Sequence, residues 1–132
     1  MEKQETLRIS GWYLPPAEKE IFRLIAQAGF NHIFLQGDRI GNGCGKEEVL
    51  DRYLSLCDDF GLRALVQLGD VPMSETLPIL LRLREHPSWS GVMVFDEPPA
   101  DRFEDLCCLY EHFFREGKLG EFFVNLFPSY AR

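Results

Sequence analysis

Five short apolar segments recur along the chain, RISGWYL (8–14), NHIFLQG (31–37), LRALVQLGD (62–70), SGVMVFDE (90–97) and EFFVNLF (121–127), each closing on polar or turn residues. They are too short for helices and too continuously apolar for strands with one wet face. Parallel strands covered on both faces read this way. Four amphipathic stretches lie between them. PPAEKEIFRLIAQAG sets Ile21, Leu24, Ile25 and Ala28 at helical spacing between a proline pair and the stop Gly29. KEEVLDRYLSLCDDFG gathers Leu50, Tyr53, Leu54 and Cys57 on one face and exits at Gly61. SETLPILLRLREHP opens at Ser74, with Pro78 limiting the regularity of its first turn. DRFEDLCCLYEHFFREG directs Phe103, Leu106, Cys107, Tyr110 and Phe114 inward and ends at Gly117.

The order β-α-β-α-β-α-β-α-β over residues 1–132, without linker or composition shift, predicts a single α/β domain with right-handed crossovers and a parallel sheet. An open doubly wound sheet and a (β/α)8 barrel both satisfy this. The open sheet usually places a glycine-rich phosphate loop after its first strand, but here that strand runs into Trp12-Tyr13-Leu14-Pro15-Pro16. The GNGCG of residues 41–45 lacks the Lys-Ser/Thr of a phosphate loop and reads as a flexible loop. The expected architecture is therefore a partial TIM barrel of parallel (β/α) units, five strands and four helices, with its strands in sequential order.

A formal charge of −7 without a basic patch argues against a nucleic-acid partner. MEKQETLRIS lacks the apolar core of a signal peptide, and no apolar run approaches the roughly 18 residues of a membrane span. As written, the chain reads as soluble, cytoplasmic and free of membrane, or as a fragment of a longer secreted protein. Cys44, Cys57, Cys107 and Cys108 match no zinc or dithiol spacing, so neither metal nor cofactor is expected. Cys57 and Cys107 are read as small buried hydrophobes, Cys44 as a loop thiol.

Ligands of parallel α/β folds bind at the carboxyl ends of the strands. Those ends carry Trp12 and Tyr13, then Gln36 and Asp38, then Gln67 and Asp70, then Asp96 and Glu97, then Asn125 with Tyr130 shortly after. Rings that stack on sugar faces, beside amides and acids that bond hydroxyls, suit a polyhydroxylated ligand. Asp96 and Glu97 could instead cap the next helix. Asp101-Arg102-Phe103-Glu104 supplies its own start signal, so that duty is assigned to Asp101. Adjacent strand residues point to opposite sides, and parity alone does not say which acid faces the ligand.

HPSWSGVMVFDEP resembles the fourth-strand region of (β/α)8 glycoside hydrolases of the β-galactosidase-like and related gut-bacterial groups. FFVNLFPSYA resembles their fifth strand, and GWYLPP with AGFNHIFLQG their first two units. The resemblance implies that Glu97 is the general acid/base and Asp96 its neighbour, where many members carry Asn. It also implies a nucleophile at the end of strand seven, which has no counterpart here. The expectation is a carbohydrate-active barrel portion, inactive alone, that needs a missing C-terminal barrel half. The alternatives are a non-catalytic carbohydrate-binding or interaction protein completed as a homo-oligomer, and an unrelated open α/β domain. Unpaired apolar edges at RISGWYL and EFFVNLF favour self-association or a missing partner segment.

Overall fold

The computed structural model describes residues 7–36, 46–67, 73–115 and 118–126. Its elements are β1 (Ser10–Gly11), α1 (Lys19–Gln27), β2 (His32–Gln36), α2 (Lys46–Phe60), β3 (Arg63–Gln67), α3 (Met73–Leu83), β4 (Trp89–Asp96), α4 (Phe103–Leu109) and β5 (Glu121–Asn125). A 3-10 turn, Ala100–Arg102, leads into α4, and a π-helical turn, Tyr110–Arg115, follows it. All strands are parallel, and the sheet order is β1-β2-β3-β4-β5. The alternation and the sequential order both follow the sequence pattern. The first segment pairs less than expected: β1 keeps only two ladder residues, because an edge strand has one neighbour and Pro15-Pro16 follow closely.

One face of the sheet meets the helices. Ile33, Leu35, Ala64, Val66 and Val92 join Phe22, Leu50, Tyr53, Leu54, Cys57, Leu80 and Leu83 in a continuous core. Complete burial of side chains such as Phe22, Leu50 and Leu54 contributes about 1.5–3 kcal/mol each. The inward face of α2 is the one its spacing predicts, and Gly61 ends it at φ 67°. In α1 the face is rotated. Phe22 is the fully buried residue, its ring 5.9 Å from that of Tyr53, whereas Leu24 stays 48% exposed. The larger ring takes the core position and turns the helix with it. The reading of α4 is corrected more strongly: Leu106 is buried, but Phe103, Cys107 and Tyr110 are exposed. The apolar spacing is regular through α4, but this seven-residue helix buries only Leu106 of that stripe.

No helix among the described residues packs with Leu65 and Met93 on the opposite face, yet both are buried. Among the described residues, part of the cover comes from the sheet itself. Strands β2 and β5 are three intervals apart, about 14 Å if the sheet were flat. The rings of Phe34 on β2 and Phe123 on β5 nevertheless lie 5.4 Å apart. Arg8, just before β1, forms a bidentate pair with Glu121 at the start of β5, across four intervals. The sheet is therefore curled into an arc whose concave face buries its own side chains. The approach of β4 and β5 depends on two glycines. A Cβ at Gly91 would fall 2.1 Å from the Glu121 carbonyl oxygen, and one at Gly120 (φ 89°) would fall 2.4 Å from that of Ser90.

Candidate functional site

Register fixes what stands together at the carboxyl ends of the strands. Gln36, Gln67, Met93 and Phe123 occupy one row across β2 to β5. Alternation puts them on the concave face with Phe34 and Leu65, two residues nearer the strand starts. The ring of Trp12, just past β1, lies 5.5 Å from that of Phe34, which extends the aromatic line Trp12–Phe34–Phe123. Tyr13 points elsewhere. It is 71% exposed and lines a groove of about 140 Å³ with Pro15, Ile25 and Phe30 beside α1.

Gln36 is only 5% exposed, and its Oε1 has no hydrogen-bond partner. A buried acceptor in that state costs about 1–3 kcal/mol. The neighbouring buried hydroxyls are satisfied: Ser88 donates to Leu54 O and Ser90 to the Glu121 carboxylate.

The acid pair reaches its position through a bulge. Met93 is level with Phe123, and Phe95 with Val124, so Val94 is an extra residue in β4. Asp96 consequently stands at the register position of Asn125, which Phe95 would occupy in a regular ladder. This shift is why parity in the sequence left the orientation open. Glu97 follows at φ 52°, and its N–H donates to Asn125 O at 2.7 Å. A non-glycine residue in the left-handed region costs about 1–3 kcal/mol, and Pro98 after it narrows its choices further. Among the described residues, none bonds the Glu97 carboxylate. Asp101 is not a cap residue, because it lies inside the 3-10 turn. That turn starts at Pro99 and α4 at Arg102, both without a side-chain cap bond. The capping role assigned to Asp101 is thus corrected: Pro98-Pro99 and the Arg102 N–H to Pro99 O bond set the turn instead.

The structure therefore brings Gln36 beside Gln67, and Asp96 and Glu97 beside Asn125, with Trp12 on the aromatic line one row below the amides. Asp38, Asp70 and Tyr130 lie outside the described residues, as do Cys44 and the GNGCG loop. Among the described residues, no group of three or more His, Cys, Asp or Glu is placed to hold a metal ion, and no helix is long and apolar enough to cross a membrane. Sequence reading missed Phe34 and Phe123, which it took as ordinary strand residues. Period-two alternation from Gln36 back through Phe34 would have put both on one face.

At the other end of the concave face lies a compensated ionic layer. Burial would raise the Glu121 carboxyl, but bonds from Arg8 and Ser90 and the charge of Arg8 outweigh it and hold it below the usual range. Burial, with the charges of Arg8 and Arg63, pushes His32 down against the pull of Glu121. No protein-family model matches the chain, and neither characterised proteins nor solved structures give a match, so the glycoside hydrolase resemblance rests on its short motifs.

Proposed function

We propose that the chain is a carbohydrate-active portion of a (β/α) barrel, with Glu97 in the position of general acid/base, Asp96 beside it, and Trp12, Gln36, Gln67 and Asn125 on the sugar-binding rim. The observation that carries this reading is the state of Glu97. Its backbone is strained, its amide is tied to Asn125, and no described residue engages its carboxylate. Strain kept without a structural duty is a feature of functional positions. The curl of the sheet supports a barrel arc over a flat open sheet.

On this reading Glu97 delivers a proton to the glycosidic oxygen as the bond to the anomeric carbon breaks. The positive charge that develops on the sugar ring then requires a second carboxylate, about 5–5.5 Å from the first in a retaining enzyme. The resemblance assigns that group to a seventh strand, and the sheet described here has five. The chain alone then binds sugar without hydrolysing it. The test is an aryl glycoside panel assayed with the wild-type chain and Glu97→Gln, alongside binding measurements. Binding without turnover is the expected result. Turnover that disappears in Glu97→Gln would overturn the claim of inactivity and support the acid/base assignment, turnover unaffected by the change would sink that assignment, and absence of any sugar binding would sink the carbohydrate reading.

The second reading, a non-catalytic carbohydrate-binding or interaction protein completed as a homo-oligomer, is favoured by one specific observation. Phe103 and Tyr110 leave an apolar stripe of α4 and its π turn about half exposed beside the edge strand β5.

A further inference from the structure

Gln36 closes β2 with a buried acceptor oxygen that, among the described residues, no group bonds. Among the described residues, its own row on the concave face is uncharged. That row continues with Gln67, Met93 and Phe123, and the row beneath holds Phe34, against the Trp12 ring, Leu65, Gly91 and, at the far side on β5, Glu121. The charged groups of this face, Arg8, Arg63 and Glu121, are displaced to the strand starts, where Arg8 and Glu121 neutralise one another. An amide above an apolar floor, without a counter-charge in its row, suits a neutral ligand with one apolar face and hydroxyls at its rim.

Resting on the carbohydrate reading above, we infer that Gln36 is the specificity-determining residue of the site: its carbonyl oxygen accepts a hydrogen bond from one hydroxyl of a neutral sugar ring bound at the carboxyl ends of the strands. The direction of that bond matters. A carbonyl oxygen only accepts, so the sugar hydroxyl must donate. A site built around such a bond rejects an analogue lacking the donor, because the protein group is then left buried and unpaired.

Two measurements test this on the whole chain. The first is thermal unfolding without ligand. Gln36→Leu keeps the approximate volume, removes the orphan acceptor and extends the apolar layer, so the melting temperature is expected to rise by about 5 °C. A fall would mean that Gln36 is satisfied as a structural residue, and would overturn the inference. The second is a titration followed by NMR, using methyl β-galactoside and methyl β-glucoside with each monodeoxy and monofluoro analogue. For the glycoside that binds, one ring position is expected at which deoxygenation and fluorination each weaken binding by about tenfold or more, with Gln36→Leu no longer distinguishing the analogues. Fluorine accepts but cannot donate, so a fluoro analogue that keeps full affinity at that position would overturn the inference. Sugar binding that Gln36→Leu leaves unchanged would overturn it while sparing the carbohydrate reading. Failure of both glycosides to bind the wild-type chain would overturn the two together.

Discussion

At the starts of the strands the polar groups are bonded to one another: Arg8 to Glu121, Ser90 to Glu121, and His86 between Asp51 and Asp58. At the strand ends, Gln36 holds a buried oxygen without a partner among the described residues; Glu97 there is in the left-handed region at φ 52°, as Lys118 is before β5 at φ 49°. The sheet and its residue types are shared by both ends, so composition does not explain the contrast. Satisfied polar groups at one end stabilise the fold. The unsatisfied acceptor at the other end costs stability, which supports the binding role proposed for that end. In parallel β/α folds the carboxyl ends of the strands are where binding occurs.

The strongest way to break the contrast is at Gly91, near the start of β4. A side chain there meets the Glu121 backbone at 2.1–2.7 Å, which cannot move without opening β5. Gly91→Val should therefore cost about 3 kcal/mol or more in denaturant unfolding. A near-neutral result would show that β4 and β5 are not held so closely.

A smaller effect is expected at the His86 cluster, where Nδ1 lies 2.6 Å from Asp58 and Nε2 lies 2.8 Å from Asp51. Both nitrogens must donate, so the ring is an imidazolium. Burial opposes that charge, but the two carboxylates outweigh it and raise the pKa above its ordinary 6.5. Asp58 is likewise opposed by burial, yet its bonds from His86 and Ser88 lower its pKa below 3.8. A raised histidine contributes fully below pH 6.5 and loses its contribution as pH rises through the folded value. A lowered carboxylate contributes above pH 3.8 and loses it as pH falls through its own. Asp58→Asn should then cost about 1.5 kcal/mol near pH 5.5 and distinctly less by pH 9. Equal costs at both values would exclude a charged His86.

The smallest change, of opposite sign, belongs to the strand ends. Glu97→Gly relieves the positive φ and should raise stability by up to about 1 kcal/mol, part of the relief being offset by the greater freedom of glycine in the unfolded chain. A clear loss would mean that the Glu97 side chain has a structural partner.

Much of this fold is legible in the sequence because it is built from local units. Leu50, Tyr53, Leu54 and Cys57 mark the inward face of α2 by spacing alone, and each β-α alternation implies the next neighbour in the sheet. Where two apolar faces compete, spacing is not enough. In α1 the choice between Phe22 and Leu24 is made by the ring of Tyr53, which belongs to another element. In α4 the apolar spacing is regular, yet only Leu106 of the stripe is buried, so spacing marks a face there without saying how deeply it packs. At the site, the residue types at the strand ends were readable. The bulge at Val94 that sets Asp96 level with Asn125, and the missing partner of Gln36, depend on geometry between strands and leave no mark in the sequence.

The contact between Arg8 and Glu121 also bears on the order in which the molecule assembles. Bonds between adjacent units join residues 22 to 38 apart, as from Ile9 N–H to Asn31 and from Tyr53 to Pro15 O. Arg8 and Glu121 are 113 apart. Closing that span directly in an unfolded chain costs about 1 kcal/mol more than closing a neighbouring unit, and the single exposed ion pair that rewards it returns no more than about that much. Units therefore zip onto one another in chain order, and the curl arises last, as the sum of their small rotations. In reverse, the arc should open at β1 and β5 while β2 and β3 remain folded, a sequence of events that native-state amide exchange reads directly.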